Sequence, residues 1–256
     1  MSQKNKKLLS VIIPAYKQEK TIVKDINRVK QALEKIRLNW EIIIVIDGKV
    51  DRTFNKLKKL KSTKVKVFQL KENKGKGHAV RFGMLKAKGD YVAFLDAGME
   101  IDPNAISMLL EHLEWYEADI IVGSKRHLAS QINYPWERKI LSLGFYLLVL
   151  ILFGFKIRDT QAGTKIFKKE VLDKVLPVLL VKSYAIDIEI LSVAYRFGFT
   201  RIFEAPIKFD YHFTSLTKSA TWEGIKNILW DTAAVFYRLK ILKYYDKEAK
   251  RLKIKI

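Results

Sequence analysis

The stretch YVAFLDAGMEIDP, Tyr91–Pro103, ends an apolar, strand-like run in a group of carboxylates. Asp102 directly precedes Pro103, and this pair is typical of a helix start, so Asp102 is predicted to cap the next helix. Asp96 and Glu100 have no such structural explanation. Carboxylate oxygens beside a turn suit Mg²⁺ or Mn²⁺, which bind a diphosphate together with one or two protein carboxylates. The stretch therefore predicts a divalent metal site at Asp96 and Glu100.

Around this stretch, strand-like apolar runs alternate with segments of helical periodicity. This order predicts parallel βα units, and hence an α/β domain with a mostly parallel sheet flanked by helices. Ligands of such sheets lie at the carboxyl ends of the strands. The candidate sites therefore follow Ile13, Ile46, Leu70, Leu95 and Val122.

Beyond Ser124 the pattern predicts a basic loop, a long apolar helix, a turn at DTQAG, helical segments and one strand at RIFEAPIKF. The longest apolar run, Ile140–Phe155, is shorter than the roughly 20 residues that span a bilayer. Its basic flanks favour an interfacial helix over about residues 138–155, although a buried helix fits the same pattern. Residues 222–256 place apolar side chains at helical spacing opposite lysines and arginines. They predict a basic amphipathic tail that contacts a membrane or packs on its own domain.

The composition narrows the class of protein and of partner. The 256 residues carry a formal net charge of +21, 49% are hydrophobic, and none is cysteine. Disulfides and thiolate metal sites are therefore excluded. The charge favours an anionic partner, but the sequence has no RNP-like strand or helix-turn-helix, so no nucleic-acid partner is expected. The N-terminus lacks the apolar stretch of a signal peptide, which predicts a cytoplasmic protein.

Several motifs, in order, resemble those of family 2 glycosyltransferases of the GT-A fold, in the dolichyl-phosphate mannose and glucose synthase group. SVIIPAYKQEKTI resembles SVVIPAYNEE, VIDGKVDRT resembles VDDGSxDGT, and FLDAGMEIDP resembles the FLDAD segment with its DxD metal motif. VGSKRH and YPWERKILS resemble the later GSR and RxxxS elements. Asp159–Glu170, DTQAGTKIFKKE, is similar to the DTQCGFKxFxRE of the glucose synthases. The resemblance covers Leu8 to about Phe213 and implies a Rossmann-like GT-A fold. Together with the pattern of the tail, it predicts a glycosyltransferase domain over residues 1–221, followed by C-terminal amphipathic interfacial helices in 222–256.

The resemblance also implies an activity. An enzyme of this group moves a hexose, glucose or mannose, from UDP-glucose or GDP-mannose to dolichyl or another polyprenyl phosphate, with inversion at the anomeric carbon. It would be peripheral, on the cytoplasmic face of a membrane, and would use Mg²⁺ or Mn²⁺. A glycan or another lipid remains an alternative acceptor, and a catalytically silent scaffold with a degraded DxD motif remains an alternative to an enzyme.

The candidate site residues fall into four groups. The nucleotide is expected to contact Pro14, Ala15, Tyr16, Gln18, Asp47, Lys76, Arg81 and Asp96. The acceptor phosphate is expected to contact Lys125, Arg126 and Arg138. Asp96, Asp159 and Arg138 are expected to act in catalysis, and Asp96 and Glu100 to hold the metal. Asp47 in a plain turn, Asp159 capping a turn, and a solvated loop around Lys76 are the structural alternatives.

The chain departs from the family pattern at positions that bear on these roles. Lys17 and Gln18 replace an asparagine and a glutamate, and Ile46 replaces the first aspartate of DDGS. Gly98 replaces the second acid of DxD. These departures predict a weaker hold on the nucleotide and on the metal.

Overall fold

The computed structural model describes residues 7–60, 62–133, 136–210 and 222–254, and the side chains of residues 132–139 and 210 are outside this description. The strands are β1 (Leu8–Ala15), β2 (Asn39–Ile46), β3 (Val65–Gln69), β4 (Tyr91–Leu95), β5 (Ile120–Ser124), β6 (Gln131–Asn133), β7 (Thr164–Lys168), β8 (Ile202–Pro206) and β9 (Lys208–Asp210). The α-helices are α1 (Ile22–Leu33), α2 (Thr53–Leu57), α3 (Lys76–Lys86), α4 (Ala105–Trp115), α5 (Trp136–Phe153), α6 (Lys169–Val175), α7 (Ile186–Arg196), α8 (Trp222–Phe236) and α9 (Tyr244–Arg251). A 3₁₀ turn, Leu176–Val178, follows α6, and a π-helical segment, Tyr237–Ile241, follows α8.

Seven strands form one sheet in the order β3-β2-β1-β4-β7-β5-β8. β1 is parallel to β2 and β4, β2 to β3, and β5 to β8, whereas β7 is antiparallel to both β4 and β5. β6 and β9 form a separate parallel pair. The strands β1, β2, β4 and β5 are almost wholly buried, as expected for strands covered on both faces. The predicted, mostly parallel sheet is confirmed.

Helices cover both faces of this sheet, because successive residues of a strand point to opposite sides. Ile12 and Phe94 belong to a core that also contains side chains of α3, α6 and α7. Val11 and Ile13 belong to a second core that contains side chains of α1 and α4. The loops that follow β1, β2 and β4 are left at one edge of the sheet, where the candidate site residues lie.

The sequence pattern misses β7, which lies in the middle of the sheet. TKIFK does not form a continuous apolar run, because it contains two lysines. Lys165 is nevertheless only 1% exposed, and its ammonium lies 2.5 Å from Asp187 Oδ1 and 2.7 Å from the Ala162 carbonyl oxygen. A buried charge is tolerated when it is paired in this way. The prediction of a turn followed directly by helices is therefore wrong at β7.

The stretch RIFEAPIKF forms two strands rather than the single strand predicted. β8 belongs to the large sheet and β9 pairs with β6. Pro206 has no N–H to donate, and the N–H of Ile207 donates instead to Ser130 Oγ at 3.0 Å. The chain therefore leaves one sheet and enters the other at this point.

The helix after Asp102 begins later than predicted. Asp102 Oδ1 accepts the backbone N–H of Asn104 at 2.9 Å, and α4 begins at Ala105. The Asp102 side chain thus closes a short turn before the helix, rather than placing Pro103 in the first helical position.

The C-terminal helices pack on the same core as the sheet. Val235 and Tyr245 are fully buried members of that core. Glu189 of α7, also fully buried, accepts the Tyr245 hydroxyl at 2.7 Å and the backbone N–H of Val181 at 2.8 Å. Burial and the Glu189 carboxylate both raise the pKa of Tyr245, so its hydroxyl stays protonated and donates. The buried stripe of the tail therefore packs on the domain, whereas the division of the chain into 1–221 and 222–256 stays a prediction.

Helix α5 has one face in the core and one in solvent. Val149 and Phe153 are buried, while Leu147 and Ile151 are 46% and 80% exposed. Within the described ranges, no helix combines the length and the apolar character needed to cross a bilayer.

Candidate active site

The carboxylate Asp96 lies where β4 ends, against the loop that precedes β7. The backbone N–H of Asp96 donates to the Gly163 carbonyl at 2.9 Å. A Cβ on residue 163 would lie 2.4 Å from Asp96 Oδ2, so only glycine allows the loop to approach this closely. The DTQAG turn, singled out from the sequence, therefore fixes the position of the predicted metal ligand.

Lys76 contacts both oxygens of this carboxylate. Its ammonium lies 2.7 Å from Asp96 Oδ1 and 2.9 Å from Oδ2. Burial acts to lower the pKa of Lys76, but the carboxylates of Asp96 and Asp187 outweigh it and raise the pKa. Lys76 is therefore charged, and its charge is held at the carboxylate.

The donor set at Asp96 fits a divalent ion that takes most of its ligands from a substrate. The described residues contain no group of three His, Cys, Asp or Glu side chains that could hold a metal by themselves. The Asp96 side chain is 40% exposed, so one of its oxygens can reach an ion that is also bound by diphosphate and water. Glu100 lies beyond a turn in which Gly98 and Met99 have φ values of 98° and 54°. Its role as a second ligand stays a prediction.

Asp47 shapes the loop that carries Lys76. Its two carboxylate oxygens accept the backbone N–H groups of Lys74 at 2.7 Å and Gly75 at 2.9 Å. Gly75 has a φ of 96°, and a Cβ there would lie 2.4 Å from the Lys182 carbonyl oxygen. The loop is therefore clamped between Asp47 and the backbone at Lys182. The contact between Asp47 and the base stays a prediction, while its contacts to this loop are observed.

Two further basic groups lie on α3 near this loop. The backbone N–H of His78 donates to the Lys182 carbonyl at 3.2 Å. Burial and the neighbouring Lys74 lower the pKa of His78. Arg81, predicted to contact the nucleotide, has a buried Nε that lacks a hydrogen-bond partner in the described part of the chain. A buried donor of this kind favours a ligand, since an unsatisfied N–H is costly.

The loops after β1 and β2 line an open cleft of about 390 Å³. The backbone N–H of Gln18 donates to Thr53 Oγ1 at 3.1 Å, and that of Glu19 donates to Asp51 Oδ2 at 3.1 Å. Burial raises the pKa of Asp51, but hydrogen bonds, chiefly from Thr53, outweigh burial and lower it. Of the residues predicted for the nucleoside, only Gln18 lines this cleft, while Pro14 and Ala15 end β1 and Tyr16 follows them. Asp51 and Thr53 were within a recognised motif, but their structural role was not predicted.

Asp159 lies on the other side of the DTQAG turn and holds Lys125. Its Oδ2 accepts the Lys125 backbone N–H at 2.9 Å and lies 3.2 Å from the Lys125 ammonium. Glu204 Oε1 accepts the backbone N–H of Asp159 at 3.0 Å. Burial raises the pKa of Glu204. A hydrogen bond from the Ser124 hydroxyl acts to lower this pKa, and the charge of Asp159 acts to raise it further. The sequence pattern did not predict a role for Glu204 or Ser124 beside Asp159, because their contacts are made between residues distant along the chain.

Arg126 connects the loop after β5 to helix α5. Its guanidinium Nη1 lies 3.5 Å from Ser142 Oγ, and its Cζ lies 5.6 Å from the centre of the Tyr146 ring. Lys125 therefore lies on Asp159, whereas Arg126 lies on α5. The binding of the acceptor phosphate by these two residues stays a prediction. Arg138 belongs to the first turns of α5, but its side chain lies outside the described residues. Its predicted roles in catalysis and in acceptor binding stay predictions.

Comparison with known proteins agrees with the motifs. The model of the family described as "Glycosyl transferase family 2" matches residues 10–176. The chain is 36% identical over 202 residues to a Drosophila melanogaster dolichyl-phosphate beta-glucosyltransferase, covering 73% of this chain and 62% of that protein. A dolichyl-phosphate beta-glucosyltransferase of Trichomonas vaginalis is 30% identical over 258 residues, covering 94% of this chain and 77% of the relative. The chain therefore spans about three fifths of the length of the first of these relatives.

The fold also matches that of solved structures. One is the glucosyl-3-phosphoglycerate synthase of Mycobacterium tuberculosis, in complex with Mn²⁺, UDP-glucose and phosphoglyceric acid. It is 16% identical, its TM-score is 0.67, and the match covers 90% of this chain and 79% of that one. At this identity the likeness concerns the fold, and it confirms the predicted GT-A architecture. The chain belongs to glycosyl transferase family 2, and the resemblance to the dolichyl-phosphate glucose synthases read from its motifs is confirmed.

Proposed function

We propose that the chain is an inverting glycosyltransferase that moves glucose from UDP-glucose to dolichyl or another polyprenyl phosphate. The observation that carries this proposal is the Asp159–Gly163 turn. Gly163 packs on Asp96, the predicted diphosphate side, and Asp159 holds Lys125, the predicted acceptor side. One short turn thus joins the two half-sites that a transfer from a sugar nucleotide to a phosphate requires. The curated relatives, which are dolichyl-phosphate beta-glucosyltransferases, support glucose and this lipid.

The reaction is a direct displacement at the anomeric carbon. An oxygen of the lipid phosphate forms a bond to that carbon while the bond to the UDP oxygen breaks, and UDP leaves with the electron pair. The configuration changes from α in the donor to β in the product. A phosphate monoester has a second pKa of about 6, so its oxygen is already anionic near neutral pH and needs no strong general base.

The protein must therefore hold two anions in line, rather than activate a neutral nucleophile. On the donor side, Lys76 and Arg81 would meet the phosphates. Asp96 and Glu100 would hold Mg²⁺ or Mn²⁺, which would neutralise charge on the leaving diphosphate. On the acceptor side, Lys125 and Arg126 would bind the lipid phosphate.

A position on the cytoplasmic face of a membrane is part of this proposal. Large apolar side chains are exposed on two helical segments, which is unusual for surfaces that face only water. They are Ile140, Leu141, Leu143, Leu147 and Ile151 on α5, and Trp222, Leu229, Trp230, Tyr237 and Ile241 in the tail. Arg126 contacts α5, so a lipid phosphate at Arg126 would have its apolar chain beside these residues. The net charge of +21 favours an anionic surface.

The test offers radiolabelled UDP-glucose or GDP-mannose and Mn²⁺ to the purified protein, in separate assays with dolichyl phosphate in detergent, with diacylglycerol and with a glycan. We expect label in the lipid phase from UDP-glucose, as a β-linked lipid phosphate that Asp96→Asn protein does not form. An α-linked product would refute the inverting mechanism. Transfer only to a glycan or to a lipid without phosphate would support the alternative acceptors. Absence of product with both donors and all acceptors would support the silent scaffold.

A further inference from the structure

Lys76 occupies an unusual position for a basic side chain. It is the first residue of α3, an eleven-residue helix, where the helix dipole disfavours a positive charge. Its ammonium instead contacts both oxygens of Asp96 and lies 5.1 Å from the centre of the Phe94 ring. The position of Lys76 is therefore determined by Asp96, and not by favourable placement on the helix.

The backbone that carries Lys76 is held on two sides. Asp47 accepts the N–H of Gly75 on one side. On the other side, Gly77 of α3 packs on the backbone of Ser183. A Cβ on Gly77 would lie 2.6 Å from the Ser183 carbonyl oxygen. The ammonium can leave Asp96 by side-chain rotation, but the loop keeps it nearby.

A second cation at Asp96 would be repelled by the ammonium while Lys76 is in place. Gly163 packs against one side of the carboxylate, and the ammonium bridges both of its oxygens. A Mg²⁺ ion would lie about 2.1 Å from a carboxylate oxygen, and therefore a few ångströms from the ammonium. Gly98 stands where the family has a second acid, so that position supplies no negative charge to offset the repulsion.

We propose that Lys76 and the divalent cation compete for Asp96, so that the cation binds tightly only when a diphosphate has taken over the ammonium. This inference rests on the proposed nucleotide site and deepens it. Lys76 prevents premature metal binding in the free protein. Once the nucleotide is present, the same ammonium neutralises a diphosphate oxygen, and Asp96 becomes available to the ion. Metal and nucleotide therefore enter the site together.

The experiment measures Mn²⁺ binding to the full chain by the loss of the electron paramagnetic resonance signal of free Mn²⁺. Titrations of the unaltered protein and of Lys76→Met are made without nucleotide and with saturating UDP. Methionine keeps the length and apolar stem of the side chain and removes the charge. Without nucleotide, we expect the variant to bind Mn²⁺ about tenfold more tightly, because a like charge beside the ion is gone. With UDP, this advantage should disappear, because the lost ammonium also served the diphosphate.

Three further variants assign the effect. Lys76→Arg keeps the charge and should bind Mn²⁺ as weakly as the unaltered protein without nucleotide. Lys86→Met removes an equal charge at the far end of α3, where the side chain is exposed, and should change nothing. Combining Asp96→Asn with Lys76→Met should abolish the gain, since the competition acts at Asp96.

Two results would overturn the inference. One is a nucleotide-free Lys76→Met protein, folded by circular dichroism, whose Mn²⁺ affinity equals or falls below that of the unaltered protein. If Lys76→Met does not fold, Lys76→Gln provides the same comparison. The other is tight Mn²⁺ binding by the unaltered protein without nucleotide, at the affinity found with UDP. Neither result depends on sugar transfer, so a wrong sugar or acceptor in the proposed function would leave this test intact.

Discussion

Carboxylates accept backbone N–H groups on both the donor side and the acceptor side of the site, and the acceptor side adds contacts to helix α5. On the donor side, Asp47 and Asp51 accept backbone N–H groups, which fixes the loops around the predicted nucleotide. On the acceptor side, Arg126 contacts side chains of α5, a helix with exposed apolar residues. Carboxylates therefore hold the loops of both half-sites, and the geometry of the acceptor side depends in addition on the position of helix α5. Loss of the donor-side charge should therefore harm turnover, whereas loss of an acceptor-side charge should mainly harm lipid binding.

Asp96→Asn should have the largest effect, on the donor side. The variant removes the charge that pairs with Lys76 and that would hold the metal, and we expect transfer to fall about 10³-fold. The measurement is the rate of lipid-phase labelling from UDP-glucose. Asp102→Asn is the matched control, because the Asp102 side chain closes a turn outside the site. Equal losses in both variants would contradict the assignment of Asp96.

Gly163→Ala tests whether the turn positions Asp96. The added Cβ would lie 2.4 Å from Asp96 Oδ2, so the carboxylate must move, and we expect kcat to fall about 100-fold. Gly144→Ala on α5 is the control, because a Cβ there meets no atom within 4 Å and alanine favours a helix. An unchanged kcat in Gly163→Ala would show that Asp96 can shift without loss of function.

Arg126→Ala tests the acceptor side. A charge-assisted hydrogen bond to phosphate would be lost, so KM for the lipid phosphate should rise about tenfold while KM for UDP-glucose stays nearly constant. Arg158→Ala removes an equal charge from an exposed side chain that lines a different cleft, and it should leave both constants unchanged. A rise confined to the KM for UDP-glucose would assign Arg126 to the donor side and would contradict its proposed role in binding the acceptor.

Glu204→Gln should have the smallest effect and concerns stability. Burial raises the pKa of Glu204, so the folded state favours its neutral form. The stability that this group contributes is complete below its pKa in the unfolded chain and is lost as pH rises through the folded pKa. Glutamine does not ionise, so the melting temperature of the variant should improve relative to the unaltered protein as the pH rises above the ordinary pKa of glutamate. Glu117→Gln, at an exposed glutamate, should show no such trend, and a flat difference for Glu204→Gln would contradict the burial argument.

Much of the fold was predictable, because the strands β1, β2, β4 and β5 are mostly apolar. β7 was not, because Lys165 interrupts its pattern and is accommodated only by Asp187, which lies on a different element. The break between β8 and β9 depends on the hydrogen bond that the Ile207 backbone N–H donates to Ser130, a residue distant along the chain. The periodicity of a segment indicates which of its residues are buried. It does not indicate which distant group pairs with a charged side chain in that segment.

The site was predictable in its location and less so in its contacts. The ends of the strands, and the motifs at them, pointed to Asp96, Asp159 and Lys125. The structure adds that Asp159 holds Lys125, and that Asp47 holds the loop before α3. Backbone N–H groups are present at every residue, so a sequence does not indicate which of them a carboxylate will accept.

The packing of Tyr245 on Glu189 has a consequence for how the protein forms during synthesis. Glu189 accepts the Tyr245 hydroxyl and the backbone N–H of Val181. Val181 precedes Lys182, and Gly75 packs on the Lys182 carbonyl. A ribosome produces the loop at Gly75 long before it produces Tyr245, and the N-terminal strands can pair in the meantime. Until Tyr245 of α9 has been made, the nascent chain has a sheet, but the backbone on which Gly75 packs is not yet held by the contact between Tyr245 and Glu189. We therefore expect the nascent chain to gain nucleotide affinity only after Tyr245 has emerged from the ribosome.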